Sequence, residues 1–300
     1  MIILITGGSG RLGNNLTRFL LKHDYEVHHS FNSYPCNISG SVPHKVDITK
    51  KEETSELVKR LNPDLVIHTS AVTDLELCEN NKKLAYEVNV GGTENIVNAC
   101  KETHSKITYI STSNVFGGDK NIYYENDVPN PSNYYAFTKL RGENIVSKSG
   151  LPFLILRTDQ LYFWSNRSEK KTFVERVLDK LKKGELTEVF VDWYNNPTFI
   201  PNFSCVTFEL IKNNKCGVYH VVGSDYINRY EWALEIANVF GYDKTLVQPT
   251  LFTKAGMKAK RGNVHLSNVK VTNELGVKLF GVKEGLKLMK DRKDELCCME

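Results

Sequence analysis

The stretch "MIILITGGSGRLGNNL", residues 1–16, decides the fold. An apolar run at 2–5 stops at Gly7, Gly10 and Gly13, after which Leu16, Phe19 and Leu20 recur at helical spacing. A strand, a Gly-x-x-Gly-x-x-Gly turn and a helix are the parts of a phosphate-holding loop. Gly7 permits the tight turn out of the strand. Gly10 lets backbone approach a pyrophosphate that a Cβ would block, and Gly13 lets the helix pack on the strand. The pyrophosphate then rests on the N–H groups and positive dipole of the helix N-terminus. A glycine triplet alone is a weak signal. Its place between a strand and a helix is what makes it specific.

Outward from this loop the first half of the chain alternates. Residues 14–23 read as a helix, 26–31 as a strand, 52–61 as a helix, "DLVIHTSA" (64–71) as a buried strand and 84–100 as a long amphipathic helix. "KITYISTS" (106–113), a helix over 135–148 and the strand "FLILR" (153–157) follow. Strands alternating with helices build a parallel sheet covered on both faces, and right-handed crossovers make it doubly wound. Beyond Arg157 the alternation weakens; loops with Pro197, Pro201 and Pro249 separate short helices at 229–240 and 282–290. The predicted architecture is α/β: a Rossmann-type doubly wound parallel sheet over 1–160, to which part of 195–225 returns, with a smaller mixed α/β C-terminal substrate lobe over 161–300.

Composition sets the class. Of 300 residues, 41% are hydrophobic and 25% charged, the balance of a globular chain with a real core. The net charge of +4 is spread without a dense Lys/Arg block, so nucleic acid is not an expected partner. No apolar stretch reaches the roughly 20 residues of a membrane helix, and the N-terminus reads as a core strand rather than a signal peptide. The seven cysteines are irregularly spaced with no Cys-x-x-Cys, which argues against a disulfide framework or a metal site and for a reducing cytoplasm. Cys297-Cys298-Met299-Glu300 has the outline of a prenylation box, but Glu300 is not a usual last residue, so it reads as a frayed end.

The second strand should end in the residue that reads the adenosine ribose. It ends "HHSFNS" (28–33), with Ser30 where an acid would favour NAD. Without the acid a 2′-phosphate is not repelled, and Arg11, His28 and His29 are candidates to hold it, although the histidines serve equally well as packed strand residues. NADPH is therefore favoured, with NADH as the alternative. Asp47 and Ile48, after the third strand, stand where adenine contacts fall; a helix cap is an equally good reading of Asp47.

"NYYAFTKLRGE" (133–143) supplies Tyr135 and Lys139 on one helix face, one turn apart, and no other of the 14 tyrosines has a lysine four residues on. An adjacent ammonium favours the phenolate and draws the phenol toward neutrality, making Tyr135 a usable general acid or base for a carbonyl/alcohol pair. Lys139 is also placed to hydrogen-bond the nicotinamide ribose. "KITYISTSNVFGG" (106–118) ends in Ser111, Thr112 and Ser113, hydroxyls that face the same crevice and can hold a substrate oxygen as charge develops on it.

Loop, hydroxyl strand and Tyr-x-x-x-Lys helix, in this order, resemble the extended short-chain dehydrogenase/reductase superfamily, and within it the dTDP-4-dehydrorhamnose reductase family. "STSNVFGG", "YAFTKLRGE", "HTSAVTDLELCE", "NNPTFIPN" and "GVYHVVGSDYINRYEWALEIANVFG" carry the resemblance over nearly the whole chain. It implies Thr112, Tyr135 and Lys139 as catalytic residues, with the cofactor against Arg11, Leu12, Asp47, Ile48, Thr69, Ser70 and Ala71, beside the Gly7, Gly10, Gly13 and Ser30 positions read above from the loop and the second strand. Thr73, Thr112, Ser113, Gln160 and Arg261 are the candidate substrate contacts. The chain departs from the family where Arg157-Thr158 is followed by Asp159-Gln160 rather than Ser-Trp, and where a late Arg-Pro is Arg261-Gly262. Trp193 and Trp164 are candidates to replace the missing aromatic surface, each also a candidate core residue.

The expected reaction is NADPH-dependent reduction of the 4-keto group of a nucleotide-linked 4-keto-6-deoxyhexose, with the proton from Tyr135. Arg167, Lys170, Arg229 and Arg261 are the basic residues available for the sugar-nucleotide diphosphate. The resemblance also suggests a homodimer. Ser113-Asn114 stands where a 4,6-dehydratase carries an Asp-Glu pair, which disfavours dehydration. A sugar-nucleotide epimerase and a regulatory subunit resembling that of methionine adenosyltransferase are the competing expectations.

Overall fold

The structure, a computed structural model, describes residues 1–165, 170–252 and 256–291. Arg167 and the Cys297–Glu300 tail lie outside the described residues. Seven parallel strands form the central sheet: β1 (Ile2–Thr6), β2 (Glu26–Phe31), β3 (Val42–Lys45), β4 (Leu65–His68), β5 (Lys106–Thr112), β6 (Phe153–Thr158) and a last strand, Gly217–His220. Their order across the sheet is β3-β2-β1-β4-β5-β6 and then Gly217–His220, so the winding reverses between β1 and β4. Ligands of such sheets bind outside the strand carboxyl ends at that reversal. Ile3, Leu4 and Ile5 are fully buried because helices cover both faces, which is why β1 reads as a continuous apolar run.

Helix α1 (Arg11–Leu21) starts at Gly10, whose position carries no side-chain cap, and turns Leu16 and Leu20 into the core. Helix α2 (Lys51–Leu61) lies on the other face. The helix expected over 84–100 is longer and interrupted. After α3 (Leu75–Asn80), α4 (Lys82–Tyr86) runs through a π-turn, Glu87–Gly91, into α5 (Gly92–Thr103). Helix α6 (Tyr134–Ser147) is capped by Asn133, whose Oδ1 accepts the Ala136 N–H at 2.8 Å.

Beyond β6 the structure departs most from the pattern that the sequence predicts. Helix α7 (Phe173–Lys182), which begins in a capping box of Thr172 and Glu175, is absent from the predicted elements. Helix α8 (Ile200–Lys212) spans a region read as a proline loop; Pro201 occupies its first turn, where the missing N–H satisfies nothing anyway. Residues 195–225 thus contribute α8, packed on α1, and the last sheet strand. Helices α7, α9 (Arg229–Phe240) and 282–291 enclose a second core around Trp232, and Leu12 and Leu161 pack against both cores. The five cysteines among the described residues are free thiols, and no helix among them is long and apolar enough to cross a membrane.

Candidate active site

A cleft of about 560 Å³ opens at the carboxyl ends of the sheet strands, a volume suited to a cofactor-sized ligand. Gly7, Gly10, Arg11, Leu12 and Gly13 form one wall. Gly7 has φ +69°, the left-handed turn expected of it. A Cβ on Gly13 would lie 2.3 Å from the Gly7 carbonyl oxygen, so the helix can approach the strand only without one. At Gly10 a Cβ would meet only Gly7 O, at 3.2 Å, and otherwise project into the cleft that Gly10 lines. This is the cradle a pyrophosphate requires, and the first N–H groups of a helix lack intrahelical partners. The residues fit a dinucleotide.

Thr69, Ala71 and Thr73, after β4, line the cleft as well. Their loop is pinned by Asn89, which the π-turn brings to bear. Its Oδ1 accepts the Val72 N–H at 2.7 Å, and its Nδ2 donates to Val72 O and Thr138 Oγ1, both at 3.0 Å. Sequence reasoning missed Asn89, because a regular helix through 84–100 hides the π-turn that places it.

Thr112, Tyr135 and Lys139 lie on the cleft wall together. All three are buried. Burial pushes that phenol well above its ordinary value, opposed by Thr112. Burial also pulls the Lys139 ammonium down to about 7, opposed by Glu143. The expectation that Lys139 charge draws Tyr135 toward neutrality is therefore corrected. Desolvation disfavours the charged form of both groups.

Buried polar residues brace the site from behind. Arg157 donates to both Glu143 oxygens, at 2.9 and 2.8 Å, and Ser111 Oγ donates to Glu143 Oε1 at 2.6 Å. This ties the ends of β5 and β6 to α6. Gln160 lines the cleft with φ +40°, a strained backbone for a residue with a side chain.

Other expected residues stand elsewhere. Ser30 is buried, and its carbonyl accepts the Gly8 N–H at 2.8 Å. Asp47 turns the chain toward α2, its Oδ1 accepting Thr49 N–H and O–H at 2.9 and 2.8 Å. Ile48 is core, packed under Gly92 of α5. Ser70 abuts Gly7, and Ser113 is buried at the strand end; neither lines the cleft. Arg261 is also off the cleft wall, paired to Glu76 at 3.1 Å because its guanidinium lies toward α3. The histidines are packed strand residues: His29 bonds Ser41 Oγ and Cys36 O, and His28 meets His44 at 2.9 Å. Burial lowers His29, which keeps it neutral at physiological pH and unsuited to charge-pairing with a 2′-phosphate.

Arg11 uses its Nη2 on the opposite lobe, donating to Ser165 Oγ at 2.7 Å and Lys170 O at 2.5 Å. Lys170 lines the cleft and pairs with Asp74 at 2.7 Å. Trp164 donates to Met289 O, and Trp193 packs on Arg229; neither supplies a cleft face, since both serve the C-terminal packing. Arg229 is itself buried among Phe173, Trp193 and Trp232. Asp159, which sequence reasoning noted only as a departure, lines the cleft and is 3% exposed. An acid directly after an apolar strand was the signal available for it. Among the described residues no three His, Cys, Asp or Glu side chains gather as a metal site would need.

The strand order, glycine turn and Tyr135/Lys139 wall are those of the extended short-chain dehydrogenase/reductase superfamily. Residues 1–294 match the RmlD substrate binding domain, and the chain belongs to that family. It is 29% identical over 281 residues to the probable low-salt glycan biosynthesis reductase Agl14 of Haloferax volcanii, covering 92% of this chain and 93% of that one. It is 25% identical over 255 residues to the methionine adenosyltransferase 2 subunit beta of Bos taurus, covering 82% and 74%. The dTDP-4-dehydrorhamnose reductase of Bacillus anthracis str. Ames, solved in complex with NADP, superposes with a TM-score of 0.87 at 26% identity over 97% of this chain and 99% of that one.

Proposed function

We propose that the protein reduces the 4-keto group of a nucleotide-linked 4-keto-6-deoxyhexose with NADPH. The observation that carries this reading is that Thr112, Tyr135 and Lys139 share one cleft wall with the glycine loop. Gly7, Gly10 and Gly13, with the N-terminus of α1, hold the pyrophosphate; Thr69, Ala71 and Lys139 hold the nicotinamide half. Bound NADPH supplies the hydride. Thr112 hydrogen-bonds the ketone oxygen and Tyr135 delivers a proton to it as charge develops. A phenol held well above its ordinary value is fully protonated at neutral pH, the state a proton donor needs. Lys139, with a value near 7, titrates where it can restore that proton. Kinship with reductases of sugar nucleotides and glycans supports the substrate class.

Tyr135→Phe tests the reading. It should keep NADPH affinity, seen by fluorescence titration, and lose about 10²–10⁴-fold in turnover on a panel of 4-keto-6-deoxyhexose nucleotides. Turnover near wild type in that variant rejects the assignment.

Similarity to methionine adenosyltransferase 2 subunit beta favours a second reading, a nucleotide-binding regulatory subunit. Stable co-purification with a larger catalytic subunit, together with no turnover on the panel, would select it.

A further inference from the structure

Lys170 touches both rims of the cleft. Its carbonyl accepts from Arg11 Nη2 at 2.5 Å, on the rim that the glycine turn forms after β1. Its Nζ donates to Asp74 Oδ2 at 2.7 Å, on the rim that follows β4, where Thr73 and Leu75 on either side of Asp74 line the cleft. The winding reverses between β1 and β4, so this one residue crosses the crevice where such sheets take their ligand. The C-terminal lobe holds it there. Ser165 Oγ accepts from the same Arg11 Nη2 at 2.7 Å and donates to Glu175 Oε2, which also accepts the Thr172 N–H at 2.7 Å. Glu175 is 8% exposed and belongs to the capping box of α7, so the crossing is anchored on a buried acid. The Lys170–Asp74 pair is the opposite: its side chains are 78% and 38% exposed. An ion pair in water contributes little to stability, which suits a contact that opens and recloses rather than one that holds the fold.

We propose that Lys170 is a latch on the cofactor: paired with Asp74, it closes the crevice over a dinucleotide seated in the glycine turn and sets how fast that dinucleotide enters and leaves. This rests on the dinucleotide reading of the cleft, and it reassigns Lys170. As a cation for the sugar-nucleotide diphosphate, Lys170 would have to leave Asp74; as a latch it uses the carboxylate it already holds. The two roles differ in kinetics. A latch formed alike in the empty and the loaded protein slows entry and release by the same factor and leaves affinity unchanged, because a contact made equally in both states has no differential free energy. A lysine that touched the cofactor phosphates would instead tighten binding, and Asp74 would compete with them for the ammonium.

Stopped-flow fluorescence of NADPH, first bound and then chased with excess NADP⁺, gives the rates of entry and release without any turnover. Asp74→Asn removes the charge but keeps the α3 cap, in which Asp74 accepts the Leu77 N–H. Lys170→Met removes the ammonium. Each should speed NADPH release by roughly two- to fivefold. The double variant, which keeps the net charge, should release NADPH no faster than either single one, the non-additivity of two groups that act as one contact. Its entry rate should rise with its release rate, leaving the wild-type Kd. Direct contact with the cofactor phosphates predicts opposite signs, with Asp74→Asn slowing release and Lys170→Met speeding it. Opposite signs, an additive double variant, a double variant with weakened Kd, or release unchanged in both single variants overturns the proposal. A wild type that binds NADPH yet reduces no keto-sugar nucleotide loses the reductase reading, while the release rates still decide the latch. A wild type that binds no NADPH overturns both.

Discussion

Lys139 stands over the face of Tyr109, its Nζ 4.0 Å from the ring centroid, and both side chains are buried. Gly142, one turn further along α6, leaves the room that Tyr109 needs; a Cβ there would fall 2.1 Å from its hydroxyl. His68, lowered to about 3 by burial and then by Lys139, adds no charge to this pocket at neutral pH. The ring face and the Glu143 charge are the compensations for the desolvated ammonium, and together they fall short of what water gives.

That arrangement predicts an unusual pH dependence of stability. Lys139 binds its proton less tightly when folded, about 7 against 10.5. Between those values the unfolded chain holds a proton that the folded chain lacks, so stability rises with pH through the window. Below it, the full cost of burying the charge remains. Lys139→Met should remove this slope and stabilise the fold at neutral pH by about 1–4 kcal/mol, while abolishing turnover. Urea unfolding of both proteins at neutral pH and at pH 10 checks it; an equal or lower stability of the variant at neutral pH refutes it.

Glu143 and Arg157 behave oppositely, because each buried charge has its partner in two-pronged contact. Glu143→Gln strands the Arg157 guanidinium in the interior and should cost about 3–5 kcal/mol. The double replacement Glu143→Leu, Arg157→Met should cost much less than the sum of the two single changes. Additive losses in guanidinium unfolding would show that the pair does not act as a unit.

The glycine loop separates a folding role from a binding role. Gly13→Ala drives a methyl into the Gly7 carbonyl and should lower stability by about 1–3 kcal/mol. Gly10→Ala should leave the unfolding midpoint nearly unchanged yet weaken NADPH binding by roughly tenfold or more, the effect of about 1.4 kcal/mol. Calorimetric titration together with thermal unfolding distinguishes the two. A normal NADPH affinity in Gly10→Ala would remove the pyrophosphate from that turn.

Legibility followed range of interaction. β2 and α9 fall on the residues predicted for them; α9 writes its own ends, with a capping box of Asn228 and Glu231 and a left-handed Gly241 after its last turn. Pro201 misled because the same ring that breaks a helix interior is harmless in its first turn. Ile48 sits in the core and Asp47 makes a local turn ahead of α2, roles that use the same residue types as a ligand site, so the residues alone leave both readings open.

Local chemistry alone dictates the strand–helix alternation, the phosphate turn and the Tyr135–Lys139 face, since each depends on spacing within a single element or turn. Only the tertiary structure decides which groups carry charge. Burial pulls Lys139 down, pushes Tyr135 up and sets Asp159 against a caged Arg229, and these are desolvation effects created by segments far apart in the chain. The free energy of an ion depends on everything packed around it, and no stretch of sequence contains that.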